Sequence, residues 1–250
     1  MIYFGIPLRS REASENWEKV TEVFNRTLQS VYRQTCPEFQ ILVACHEIPE
    51  LKRDYDARVR FLVSDAPIPK DRREMMLDKG WKISMIAREI RAVGGGYTML
   101  VDSDDLISDR IAGYAKEHPD LNGFTARTGY VYNEGESFCR KICRPYSICG
   151  SCTAVRYAPE DLPDAMPENF YDDSFSAKWL IRRPHREVPK ALSQIGRPLA
   201  KAPFPMTVYV RNTGDNHSML GGGDLSAKRK VELMLARKIP VAALKDEFGF

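Results

Sequence analysis

The chain has 250 residues, 43% hydrophobic and 28% charged, with 37 basic against 34 acidic side chains for a net charge of +3. That balance suits an ordinary globular domain with a proper core, and it gives no footing to nucleic-acid binding or disorder. No apolar run approaches the ~20 residues that span a bilayer, and six cysteines behind an opening with no basic leader fit a reduced protein, expected in the cytoplasm.

"IYFGIPL" (2–8) reads as a first strand, and a helix follows from about Ser14, with Trp17, Val20, Val23, Phe24, Leu28 and Val31 at three- and four-residue spacing. "QILVACHE" (40–47) and "RVRFLVSD" (58–65) are the next strands, and residues 71–92 read as a second helix. Tyr97–Val101 is a strand buried on both faces, entered through Gly94, Gly95 and Gly96. Strands alternating with helices imply βαβ units and a mostly parallel sheet, which binds ligands at the carboxyl ends of its strands near a switch in strand order. Arg9, His46, Asp65 and Asp102 fall at or just after such ends.

Beyond residue 108 the alternation weakens. "GFTARTGYVYNEG" (123–135) and "SICGSCTAVRYAP" (147–159) look like strands or hairpin arms, and a helix is expected from Asp173 to Arg183. A Pro-rich connection (184–205), a strand (206–212) and a basic amphipathic helix (225–238) complete the chain. The clusters "RRPHR" (182–186) and "AKRK" (227–230) read as solvated surface. The expected organisation is one domain, with a core over 1–184 and a segment over 185–250 folding back across the site.

The chemistry concentrates in Asp102, Ser103, Asp104 and Asp105 at the end of the Tyr97–Val101 strand. Carboxylates this close raise one another's pKa, and a divalent cation held through oxygen relieves them. An EF-hand loop starting at Asp102 fails, because its sixth and twelfth positions hold Ile107 and Gly113. A phosphohydrolase of the haloacid dehalogenase class, with Asp102 as nucleophile, is a weaker match, since Leu106 stands at the fifth position of its motif. Cys139, Cys143, Cys149 and Cys152 crowd a zinc pattern into two adjoining strands and read better as small buried hydrophobes.

Three stretches together resemble the GT-A-fold glycosyltransferases of the large inverting family 2: "RTLQSVYRQTCPEFQILVACHE" (26–47), "GGGYTMLVDSDDLIS" (94–108) and "NFYDDSFSAKWL" (169–180). The resemblance implies a nucleotide-diphospho-sugar transferase fold, an α/β mixed sheet flanked by helices with a C-terminal extension. It implies metal-dependent transfer of a sugar, with inversion, from a nucleotide-sugar donor to the hydroxyl of a carbohydrate or other acceptor. Asp104 would be the main ligand of Mn2+ or Mg2+, Asp102 would touch metal or ribose, and Asp105 would support from behind. His217 would join the metal and Ser218 would reach phosphate. Asp173, or Asp172, would be the general base, and the same pair also suits a helix N-cap. Arg9, Lys79 and Lys82 would face the diphosphate, and Gly150 and Ser151 the donor sugar. Pro7, Leu8, His46, Asp65 and Ser103 complete the expected donor contacts.

The chain departs from the family at Pro7-Leu8-Arg9-Ser10, at His46-Glu47 in place of an aspartate-containing loop, and at Ile86-Ala87 in place of Arg-Asn. These departures leave thymidine and guanosine beside uridine, the family's commonest base. The "GGGD" loop (221–224) would be a donor-gated lid. The non-catalytic rival is a sugar- or nucleotide-binding module on the same scaffold. The sequence leaves open peripheral contact with a membrane and the oligomeric state.

Overall fold

The computed structural model describes residues 1–171, 178–213 and 227–250. Four parallel strands form its centre: β1 (Ile2–Pro7), β2 (Phe39–Cys45), β3 (Val59–Val63) and β4 (Gly96–Leu100). α1 (Trp17–Tyr32) connects β1 to β2, and α2 (Arg72–Ala92) connects β3 to β4. β1 to β3 step outward in one direction, then the chain returns to place β4 on the other flank of β1. The switch in strand order therefore lies between β1 and β4, where a crevice opens at the carboxyl ends.

Alternation on the strands decides which helix covers which face. Ile2, Phe4 and Ile6 pack with Phe24, Leu28 and Val31 of α1. Burying a side chain such as Phe24 or Leu28 stabilises the fold by roughly 2–3 kcal/mol. Tyr3 faces the other layer with Ile83, Ile86, Ala87 and Ile90 of α2. Gly5 lets α2 approach, since a Cβ there would lie 2.9 Å from the Ile86 side chain. Asn16 caps α1 by accepting from the Lys19 N–H at 2.9 Å, so this helix begins at Trp17, its first apolar position, and not near Ser14. Asp71 caps α2 in the same way through Glu74 N–H at 2.8 Å, and the Glu74 carboxylate accepts from Lys70 N–H in return.

The glycine run ends α2 and starts β4. Gly94 N–H and Gly95 N–H donate back to Arg91 O and Ile90 O, with both glycines at positive φ. A Cβ on Gly95 would lie 2.4 Å from Tyr157 O, so only glycine fits.

The main sheet continues past β4 with β9 (Thr153–Tyr157), antiparallel to both β4 and β6 (Gly123–Ala126), and ends at β10 (Ala200–Ala202), parallel to β6. The expected α/β architecture, a mixed sheet flanked by helices, is present, with seven strands in the order β10-β6-β9-β4-β1-β2-β3. A second, five-stranded sheet joins β5 (Leu106–Ile107), β7 (Thr128–Asn133), β8 (Phe138–Cys143), β11 (Thr207–Arg211) and β12 (Lys238–Pro240). Three short α-helices, α3 (Ile111–Glu117), α4 (Val188–Gln194) and α6 (Lys245–Phe248), the longer α5 (Ala227–Leu235) and four 3-10 turns are also described.

Several sequence expectations need correction. Of the helix expected over 173–183, residues 173–177 lie outside the described residues, Lys178 is helical, and Leu180–Arg182 forms a 3-10 turn. The Pro-rich connection contains α4 and β10, and the basic helix stops at Leu235 because Lys238–Pro240 pairs with β8. Cys149 and Cys152 lie before β9, in the turn leading into it, and all six cysteines are free. No helix among the described residues is long and apolar enough to cross a membrane.

Candidate functional site

A cleft of about 330 Å³ opens at the carboxyl ends of β1 and β4. Pro7, Leu8 and Arg9 form one wall, and Asp102, Ser103 and Asp104 another. Lys79 and Lys82 from α2, and Gly150, complete the sequence-expected residues lining it.

The acidic loop is built around its one buried member. Asp105 is fully buried, and its carboxyl accepts from Ser151 Oγ at 2.6 Å, Cys149 Sγ at 3.1 Å and Val210 N–H at 3.2 Å. Burial, with Cys149 and the neighbouring aspartates, pushes its pKa well above the usual carboxylate range. Ser151 Oγ also accepts from Asp102 N–H at 2.8 Å, and Asp105 N–H returns to Asp102 O at 3.1 Å. The turn is thus tied to the β9 side by side chains as well as by strand pairing. Downstream, Ser30 Oγ in α1 brackets Ile107, accepting from its N–H at 2.9 Å and donating to its C=O at 3.1 Å. Gln34 holds Ser108 O and Ala112 N–H in the same manner.

With Asp105 facing inward, Asp102 and Asp104 face the cleft. Lys79 Nζ donates to Asp102 Oδ1 at 2.5 Å. Burial pulls the Lys79 ammonium down, but Asp102, Asp104 and Asp105 together outweigh it and hold its pKa above the ordinary value. Asp104 is pushed up to about 7, first by burial and then by Asp102, against the opposing pull of Lys79 and Arg9. Gly150 gives Asp102 its room, because a Cβ there would lie 2.9 Å from Asp102 Oδ2.

Other expected residues have different roles. Lys82 is 1% exposed and its ammonium is engaged, donating to Leu8 O and to Asp78 Oδ2, each at 2.7 Å. It fastens α2 to the end of β1 instead of presenting charge to a ligand. Ser151 is fully buried and committed to Asp105 and Asp102, so it does not offer its hydroxyl to a sugar. His46 sits beneath the cleft, with Nε2 3.1 Å from Ala66 O and 3.8 Å from Asp78 Oδ1. Asp65 is exposed and outside the cleft lining. Asp172, Asp173, His217, Ser218 and the Gly221–Asp224 loop lie outside the described residues.

Several contributors went unnoticed in the sequence. His185, from the cluster read as solvated surface, lines the cleft, and its buried Nε2 has no hydrogen-bond partner among the described residues. Burial lowers its pKa, Asp102 opposes that shift, and Lys79 and Arg186 add to it. Arg182, from the same cluster, lies against Gly80 and donates to Ser84 Oγ at 2.8 Å, which holds the segment leading to His185 on α2. Tyr209 and Thr213 reach the cleft from β11 and just beyond it. A lone histidine between Pro184 and Arg186 carries no periodic signal, and only tertiary pairing brings β11 to the acidic loop.

Among the described residues no three His, Cys, Asp or Glu side chains gather as a metal-binding group. Three of the described carboxylates line the cleft; Asp78 is paired with Lys82, which leaves Asp102 and Asp104, and burial together with the charge of Asp102 opposes the ionisation of Asp104. Hard oxygen donors in that state fit a divalent cation, whose charge would reverse the shift.

No protein-family profile matches the chain, and no curated protein matches it. Among solved structures it is similar to a protein from Desulfovibrio desulfuricans G20 assigned as a nucleotide-diphospho-sugar transferase, at 8% identity and TM-score 0.39, covering 92% of this chain and 90% of that one. It is similar to HddC from Yersinia pseudotuberculosis at 10% identity and TM-score 0.37, covering 84% and 89%. A third likeness is to mannose-1-phosphate geranyltransferase from Thermus thermophilus, at 14% identity and TM-score 0.33, covering 84% and 73%. Scores this low leave function to the chemistry of the site.

Proposed function

We propose that the chain is a nucleotide-sugar-dependent transferase, and more narrowly a glycosyltransferase that inverts the anomeric carbon of its donor sugar. The observation that carries this reading is the pairing of Asp102 and Asp104 with Lys79 in one cleft at the β1–β4 switch point. Asp102 and Asp104 would hold Mn2+ or Mg2+, which when bound supplies Lewis-acid neutralisation of the departing diphosphate. Lys79 is placed to share that negative charge, and Arg9 at the end of β1 lies on the same cleft. Asp105 keeps the loop in register from behind through its three hydrogen bonds. Proton removal from the acceptor hydroxyl is assigned to Asp173, with Asp172 as the substitute, on the sequence resemblance alone. Uridine is the first base to test.

The test is a thermal-shift screen against nucleotides and nucleotide sugars with and without manganese, followed by turnover of whatever donor binds. A metal-dependent rise in melting temperature with a nucleoside-diphosphate sugar, and donor turnover lost in Asp173→Asn while donor binding persists, supports the reading. Magnesium-dependent hydrolysis of a simple phosphomonoester through a phosphorylated Asp102 would replace it with the phosphohydrolase. Donor binding with no turnover of any kind would leave a binding module.

A further inference from the structure

The two most exposed large apolar side chains among the described residues are neighbours, Leu235 at 76% and Met234 at 72%. Val231, half exposed, stands three and four residues before them, so the three share one stripe of α5. The opposite side of the helix is accounted for. Leu233 is buried with Val131, Ile142, Cys149 and Tyr209, and Arg229 is paired with Glu232 at 2.7 Å and bonded to Ser147 Oγ. The outward stripe is thus an apolar ridge on a helix already anchored from behind.

Positive charge borders this ridge. Arg237 and Lys238 follow it directly, both exposed. Lys238 lies over the Phe138 ring at 4.5 Å, on the strand that supports α5. The acids nearby are already held: Glu232 by Arg229, and Glu136 by Arg140. Exposed apolar side chains bordered by exposed cations match the interface of a bilayer bearing anionic headgroups, where the chains enter the acyl boundary and the cations meet phosphate. A protein partner of ordinary composition would not need that excess of positive charge.

We infer that α5 with the following turn is a docking surface for an anionic lipid membrane. The claim rests on surface chemistry and holds whether or not the cleft transfers sugar. Docking would place the bilayer on the face of α5 opposite Leu233, which shares a buried cluster with Tyr209 of the cleft wall.

Vesicle flotation of the full chain tests it, with neutral phosphatidylcholine against the same lipid carrying about 30% phosphatidylglycerol. The chain is expected to float with the anionic vesicles only. The double variants Met234→Glu/Leu235→Glu and Arg237→Glu/Lys238→Glu should each lower the bound fraction roughly tenfold at an unchanged melting temperature. Failure to float with anionic vesicles overturns the inference. So does binding that survives Met234→Glu/Leu235→Glu, which would be charge adsorption alone. A concentration-dependent dimer abolished by that variant, without vesicle binding, would assign the ridge to a second copy of the chain.

Discussion

The two ends of the seven-stranded sheet each carry a hollow of similar size, about 330 Å³ at the carboxyl end and about 370 Å³ at the amino end. Both are lined by at least one glycine and by charged side chains, yet their chemistry is opposite. At the amino end the glycine N–H groups close the C-terminus of α2, and Arg197 grips Asp161 through both carboxylate oxygens at 2.8–2.9 Å and reaches Arg156 O at 2.7 Å. Arg91 is likewise held by Pro159 O and Leu162 O. Those groups hold the fold together. At the carboxyl end, burial and the charge of Asp102 drive Asp104 toward its protonated form, and Lys79 stands between protein and cleft. A hollow marks a site when its charges are held in tension, and volume does not reveal that.

The largest expected effect is structural and separates the acidic loop from everything around it. Asp105→Ala removes the acceptor of three buried donors and should cost about 3 kcal/mol in chemical denaturation. Lys79→Met leaves the fold intact and should weaken donor binding roughly tenfold in titration calorimetry, since it removes one charge-assisted contact. Gly150→Ala presses a methyl group toward Asp102 Oδ2 and should weaken donor binding about threefold, with little change in melting temperature. At the opposite end, Arg197→Ala should lower stability by about 1 kcal/mol and leave nucleotide affinity where it was. Loss of nucleotide binding in that variant would erase the distinction between the two hollows.

The parallel half of the fold was legible in the sequence because its strands are rich in apolar residues and α1 carries a long apolar stripe. α2 was expected over 71–92 and spans Arg72–Ala92. The rest was not legible for a physical reason. β5 is two residues long, and β10 and β12 are three each. Such edges are defined by pairing with distant partners, and a local pattern does not encode that. At the site, strand-end position pointed to Arg9 and Asp102 and the family resemblance to Pro7, Leu8, Lys79, Ser103, Asp104 and Gly150, and all eight line one cleft. Neither could tell outward from inward for Lys82 and Ser151, because one helical turn or one step along a loop decides whether a polar group meets solvent or a buried carboxylate.

If the cleft takes a nucleotide diphosphate, the two outward aspartates must bind the cation that the diphosphate needs. Titration calorimetry of a nucleoside-diphosphate sugar into the chain, with and without Mn2+, for wild type and Asp104→Asn, measures that directly. Affinity should require Mn2+ in the wild type and fall by at least ~100-fold in Asp104→Asn. Equal affinity in the two proteins, or binding indifferent to the metal, would contradict that role for the two aspartates.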